Sequence, residues 1–162
     1  MAASPLTSLK SRFLTYTFVF GTLVIGALLS GMSFAGEAVV PYWQANYGAT
    51  YTLNISNISN SPTDVNVSLY NKDGELYTGS YQTDNGGALN QLFTIPPHQT
   101  VWIWVNGPSG NTIGSTMRGY GVITSSPTNS TEEAAQIVAF GKYDGKGTHR
   151  WMGIPINNGL PF

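Results

Sequence analysis

A hydrolase of the Ser-His-acid kind needs an imidazole within reach of both a nucleophile and a carboxylate, and this chain offers two, His98 and His149. His98 follows Pro96-Pro97 where a strand should begin, and His149 lies between a glycine-rich turn and Arg150-Trp151. Both settings suit a surface histidine better than a catalyst. The pair lacks the short spacing of metal-binding histidines and no carboxylate cluster accompanies it. With no cysteine, thiolate nucleophiles and Cys-type zinc or iron–sulfur sites are excluded. Asp144-Gly145-Lys146-Gly147 superficially resembles a calcium or phosphate loop. It has neither the further acids of an EF-hand nor the Gly-Lys-Ser/Thr ending of a phosphate loop, so a hairpin turn is expected. Asp73 and Asp84 precede turn residues and Glu132-Glu133 leave a loop, so no carboxylate pair for glycoside cleavage stands out. We expect no enzyme, no cofactor and no metal site. The sequons at Asn54, Asn57, Asn66 and Asn129 matter only in a glycosylating host.

The elements around these residues begin with a segment that no soluble core requires. Residues 13–36 carry no charged side chain, with Lys10 and Arg12 just before them and Glu37 just after. As a helix the stretch reaches roughly 36 Å, against about 30 Å of bilayer hydrocarbon. The upstream cations place the N-terminus inside and the remainder outside. The expected plan is a cytoplasmic N-terminus at 1–12, a transmembrane helix or uncleaved signal anchor at 13–36 and an exported domain at 37–162. The alternative is a cleaved secretory signal, with Ser33 and Ala35 preceding a cut before Gly36. The stretch has no His, Asp, Glu, Lys or Arg, hence no proton relay and no axial imidazole. Gly26, Ala27, Ser30 and Gly31 are the candidates for a small-residue helix-packing face.

Beyond Glu37 the pattern has period two and is broken by turn residues at short intervals, as in an all-β sandwich or barrel. Tyr51, Leu53 and Ile55 alternate with Thr52, Asn54 and Ser56, and Val65, Val67 and Leu69 with Asp64, Asn66 and Ser68. Asn71-Lys72-Asp73-Gly74 supplies a hairpin turn. Further strands are expected at 75–81, 89–95, 100–105, 116–124 and 134–143 and near Trp151, with a loop at 84–87 and another at 124–131. The fold class expected is an immunoglobulin-like antiparallel β-sandwich of about eight or nine strands.

Four segments, Val40-Pro41-Tyr42-Trp43-Gln44, 57–74 (NISNSPTDVNVSLYNKDG), 94–100 (TIPPHQT) and 153–162 (GIPINNGLPF), resemble a loose group of uncharacterised bacterial exported β-sandwich domains. The resemblance covers nearly all of the exported part. It implies the fold and an exported setting and carries no functional residue across.

Only 9% of the residues are charged and the net charge is -1, which gives a phosphate backbone nothing to hold, so nucleic acid is not an expected partner. The functional signal is aromatic. If Val101, Ile103 and Val105 face the core, Trp102 and Trp104 face outward, where a sandwich strand normally carries polar groups; a covering by the 41–43 segment or the C-terminal tail is the alternative. Tyr42, Trp43, Trp151 and Phe162 join the candidate interaction residues. Two classes of function follow. One is a non-enzymatic, single-pass accessory subunit in a bacterial inner membrane, with a periplasmic domain packed against other membrane subunits and lipid, as in a photosynthetic reaction-centre or respiratory complex. The other is a secreted or surface-exposed binding or fibre-forming module for carbohydrate or protein, whose extended tail could add to a neighbour's sheet.

Overall fold

The computed structural model describes residues 35–45, 48–107, 117–129, 134–145 and 150–162. Nine strands run through them: β1 Gly36–Gln44, β2 Thr50–Asn57, β3 Thr63–Asn71, β4 Tyr81–Thr83, β5 Leu92–Ile95, β6 Thr100–Asn106, β7 Arg118–Pro127, β8 Ile137–Gly145 and β9 Arg150–Pro155. All belong to one compact unit, Ser33–Phe162. They form two antiparallel sheets, a four-stranded one in the order β1-β7-β3-β5 and a five-stranded one in the order β4-β6-β2-β8-β9. The inward residues of both sheets, among them Val40, Trp43, Val67 and Ile123 from the first and Leu53, Ile55, Ile103 and Ile137 from the second, merge into a single buried cluster. A strand with one apolar face is stable only when that face meets another, and the alternation in β2, β3 and β6 is what brings the sheets together.

The strand order departs from the immunoglobulin-like expectation. In immunoglobulin domains consecutive strands pair within a sheet at several points; here β8 and β9 are the one consecutive pair among the described strands. The pairs β1–β7, β2–β6 and β3–β5 are successive rungs of one long ribbon, and β2–β8, β3–β7 and β4–β6 close it on itself. Each connection from β1 to β8 therefore crosses from one sheet to the other. Period-two patterning says which side of a strand is buried and nothing about its neighbour, so this winding was invisible to it.

Local departures have local causes. The strand expected at 75–81 is reduced to a Tyr70–Leu76 bridge, and the chain then leaves for the other sheet as β4. Asn71 holds that corner: its side-chain oxygen accepts the amides of Asp73 at 2.9 Å and Glu75 at 3.0 Å. The strand expected at 89–95 starts only at Leu92, because Asn90 takes a positive φ of 60° and kinks the chain. The loop expected from 124 is still strand through Pro127, paired with Thr63 at the start of β3. The 84–87 loop is a tight turn as expected. Asn85 and Gly86 both have positive φ, 47° and 77°, and the Gly87 amide donates to the Asp84 carbonyl at 3.0 Å, the conformation that favours Asn-Gly.

The 13–36 stretch, with Gly26, Ala27, Ser30 and Gly31, lies outside the described residues except for Ala35 and Gly36, and Gly36 already opens β1. Among the described residues no helix is long and apolar enough to cross a membrane.

One core group is mismatched to its surroundings. Tyr51 is fully buried, yet its hydroxyl has no hydrogen-bond partner among the described residues. Burial pushes its pKa well above the ordinary 10.0. An unpaired buried hydroxyl costs about 1–3 kcal/mol, so Tyr51→Phe should raise the melting temperature at neutral pH. The sign of the alkaline effect follows from the raised folded pKa: stability is intact below pH 10 and declines as pH rises above it, because the unfolded chain releases its proton first. Each such tyrosine contributes up to about 1.4 kcal/mol per pH unit, and Tyr51→Phe should flatten the decline by one proton's share. Thermal melts of both proteins from neutral to alkaline pH test this. A Phe variant that melts lower at neutral pH would mean the hydroxyl is satisfied in solution.

Candidate aromatic binding face

The outward face of the five-stranded sheet is assembled by register. Trp102 on β6 stands opposite Asn54 on β2, which stands opposite Phe140 on β8, which stands opposite Pro155 on β9. The next row is Gln82, Trp104, Thr52, Lys142 and Gly153, and beyond it lie Asn106, Thr50, Asp144 and Trp151. Trp102 is 41% exposed, Phe140 45% and Trp151 70%. Three large aromatics from three strands thus reach solvent on one face, where antiparallel sheets ordinarily present polar groups.

The face is braced from its edge. The Trp102 and Trp104 rings meet edge-on with centroids 5.4 Å apart, which steadies both. The turn after β4 fastens the β6 backbone, since the Trp102 amide donates to Asp84 Oδ1 at 2.6 Å and Thr83 Oγ1 donates to the Trp102 carbonyl at 2.9 Å. At the opposite edge Lys142 Nζ lies 5.9 Å from the Trp151 ring centroid, within cation–π range, and 3.5 Å from Asp144 Oδ2.

Of the expected interaction residues, Trp102, Trp104 and Trp151 lie on this face. Trp104 is half-buried, and neither the 41–43 segment nor the C-terminal tail covers Trp102. Trp43 is corrected: it is fully buried in the core. A β-bulge between Val40 and Trp43 adds one residue to β1 and reverses the alternation, so the indole points inward. Tyr42 is partly buried against the core and its hydroxyl bonds Gln44. Phe162 also packs on the core: its amide donates to the Ile137 carbonyl and its carbonyl accepts from the Ile137 amide, both at 3.0 Å. The tail that could have joined a neighbour's sheet edge is thus folded onto its own β8. Phe140 was missed because alternation in β8 alone does not show that it shares a row with Trp102.

The residues considered for chemistry are placed apart. His98 is exposed at a positive φ of 58° in a turn closed by the Gln99 amide on the Pro96 carbonyl, a role of backbone shape. His149 lies outside the described residues, as do Lys146 and Gly147 of the expected hairpin turn, whose flanking strands pair antiparallel. Among the described residues no three His, Cys, Asp or Glu side chains converge on a possible metal position. Among the described residues that line a cavity of about 560 Å³ at one end of the sheets, Glu75 is the sole acid. No family model, no curated protein and no solved structure matches the chain.

Proposed function

We propose that the domain is a non-enzymatic binding module of jelly-roll-like winding, working outside the cytoplasmic membrane and engaging its partner through the outward face of the five-stranded sheet. The observation that carries this is the exposure of Trp102, Phe140 and Trp151 together. Each buries on the order of 150–250 Å² when covered, so leaving three in water forgoes stabilisation that a partner recovers. Export rests on residues 13–36, whose lack of charge suits passage into or across a bilayer. That same stretch favours a second reading, in which the chain stays anchored and the face braces a neighbouring membrane subunit.

The test replaces Trp102 and Trp104 together by serine. Because both indoles are on the outside, the fold should survive with its β-sheet circular dichroism intact. What should disappear is retention of the full-length protein on its native envelope or on the subunits it purifies with. Undiminished retention by a folded double variant would refute the binding face.

A further inference from the structure

The aromatic face is not a continuous apolar patch. The outward side chains of β2, Thr50, Thr52, Asn54 and Ser56, are short and uncharged, and they run between Trp102 and Trp104 on one side and Phe140 and Lys142 on the other. Strands lie about 4.8 Å apart, so the two ridges stand roughly 10 Å from each other with β2 as the floor between them. At a rise of about 3.4 Å per residue the floor extends for roughly 20 Å. At the Ser56 end it opens into a groove of about 210 Å³ lined by Asn54, Ser56, Val138, Phe140, Pro155 and Gly159.

We infer that this trough binds a neutral, linear polysaccharide, an inference that rests on the binding role proposed above. Three properties of the face select that ligand. A sugar ring has an apolar C–H face and a rim of hydroxyls, and the trough offers aromatic walls beside an amide and hydroxyl floor. The floor's ends are already engaged, Ser56 Oγ with Thr100 Oγ1 at 2.8 Å and Thr50 Oγ1 with Asn106 Oδ1 at 3.5 Å, while the Asn54 amide has no partner among the described residues. An apolar side chain laid over Asn54 would strand an unpaired amide, whereas a hydroxyl can satisfy both its donor and its acceptor. Among the described residues the face carries one cation, Lys142, which lies 3.5 Å from Asp144, and a further acid, Asp84, beside Trp102, so it has no net positive charge to hold an anionic lipid, a nucleic acid or an acidic glycan.

The length of the floor makes the preferred ligand a chain of several rings. Calorimetric titration of the full-length protein with cello-, manno- and maltohexaose, their monosaccharides and an oligogalacturonate tests this. We expect one neutral hexaose to bind, its monosaccharide and the acidic oligomer not to, and Trp102→Ala and Asn54→Ala each to weaken binding by about tenfold or more, as loss of a central contact does. Near-ultraviolet circular dichroism checks that both variants are folded. Binding of none of the neutral hexaoses, equal binding of the acidic oligomer, or binding unchanged in both variants overturns the assignment. If no glycan binds but the Trp102/Trp104 serine variant still loses its native partner, the ligand class alone is wrong; if that variant also behaves as wild type, the binding face itself is wrong.

Discussion

Trp43→Ala should leave the domain at the edge of unfolding, with a urea midpoint reduced by roughly half. The indole is fully buried, and truncating a core tryptophan costs about 3–5 kcal/mol. Its Nε1–H is shared between the carbonyls of Tyr70 at 2.8 Å and Tyr120 at 3.1 Å, so alanine also strips a donor from β3 and β7. An edge-on contact with Tyr77, centroids 5.1 Å apart, is lost as well. A domain of this kind holds about 5–15 kcal/mol in total, so the sum is a large fraction of it. Gly119, its register partner, lets β7 approach β3 closely, since an added Cβ would sit 2.0 Å from the Tyr70 carbonyl oxygen, the oxygen that accepts the indole N–H. Trp43→Phe keeps an aromatic ring while removing the donor, and should fall between wild type and alanine in equilibrium urea melts. A Trp43→Ala loss below about 1 kcal/mol would show that the indole is not packed as described.

Trp43 also marks where sequence patterning stops being informative. The alternation of β2, β3 and β6 identified their buried sides residue by residue because each is straight and half-covered. In β1 the count from Ala38 and Val40 would bury Tyr42 and expose Trp43; the bulge between Val40 and Trp43 inverts it, and no periodicity reports a bulge. The candidate site was half legible for a related reason. Val101-Trp102-Ile103-Trp104-Val105 has both faces apolar, and a strand of that kind must show one of them outward or be covered. Phe140, Asn54 and Trp151 become part of the same surface only through the pairing of β2 with β6 and β8 and of β8 with β9. The two β2 pairings join residues far apart in the chain. Immunoglobulin-like and rolled windings likewise bury the same alternate residues, so a sequence that specifies the core without naming strand neighbours fits either.

Asn57→Ala is the other substitution expected to cost several kcal/mol, and for a different reason. Asn57 ends β2 at 1% exposure, and its amide donates to the carbonyls of Ser61 and Ile95, each at 2.9 Å, and of Pro96 at 3.3 Å. Its side-chain oxygen accepts from the Ser59 amide at 2.9 Å and the Ser59 hydroxyl at 2.7 Å. Because β2 lies in one sheet and Ile95 ends β5 in the other, this one side chain ties the two sheets and the intervening loop together. Alanine removes little apolar contact but orphans several buried polar groups at about 1–3 kcal/mol each. Ser59→Ala, which removes one donor to Asn57, should cost far less. Asn57→Asp is the decisive comparison: it retains an acceptor for Ser59 but loses the donors to three carbonyls and places a charge among them, so it should be at least as unstable as alanine at neutral pH. Denaturant melts that ranked aspartate near wild type would mean that the carbonyl bonds contribute little and that another contact holds the sheets together here. Burial also decides a point open in the sequence, since Asn57-Ile58-Ser59 is a sequon whose asparagine, once folded, has no free face on which a glycan could be built.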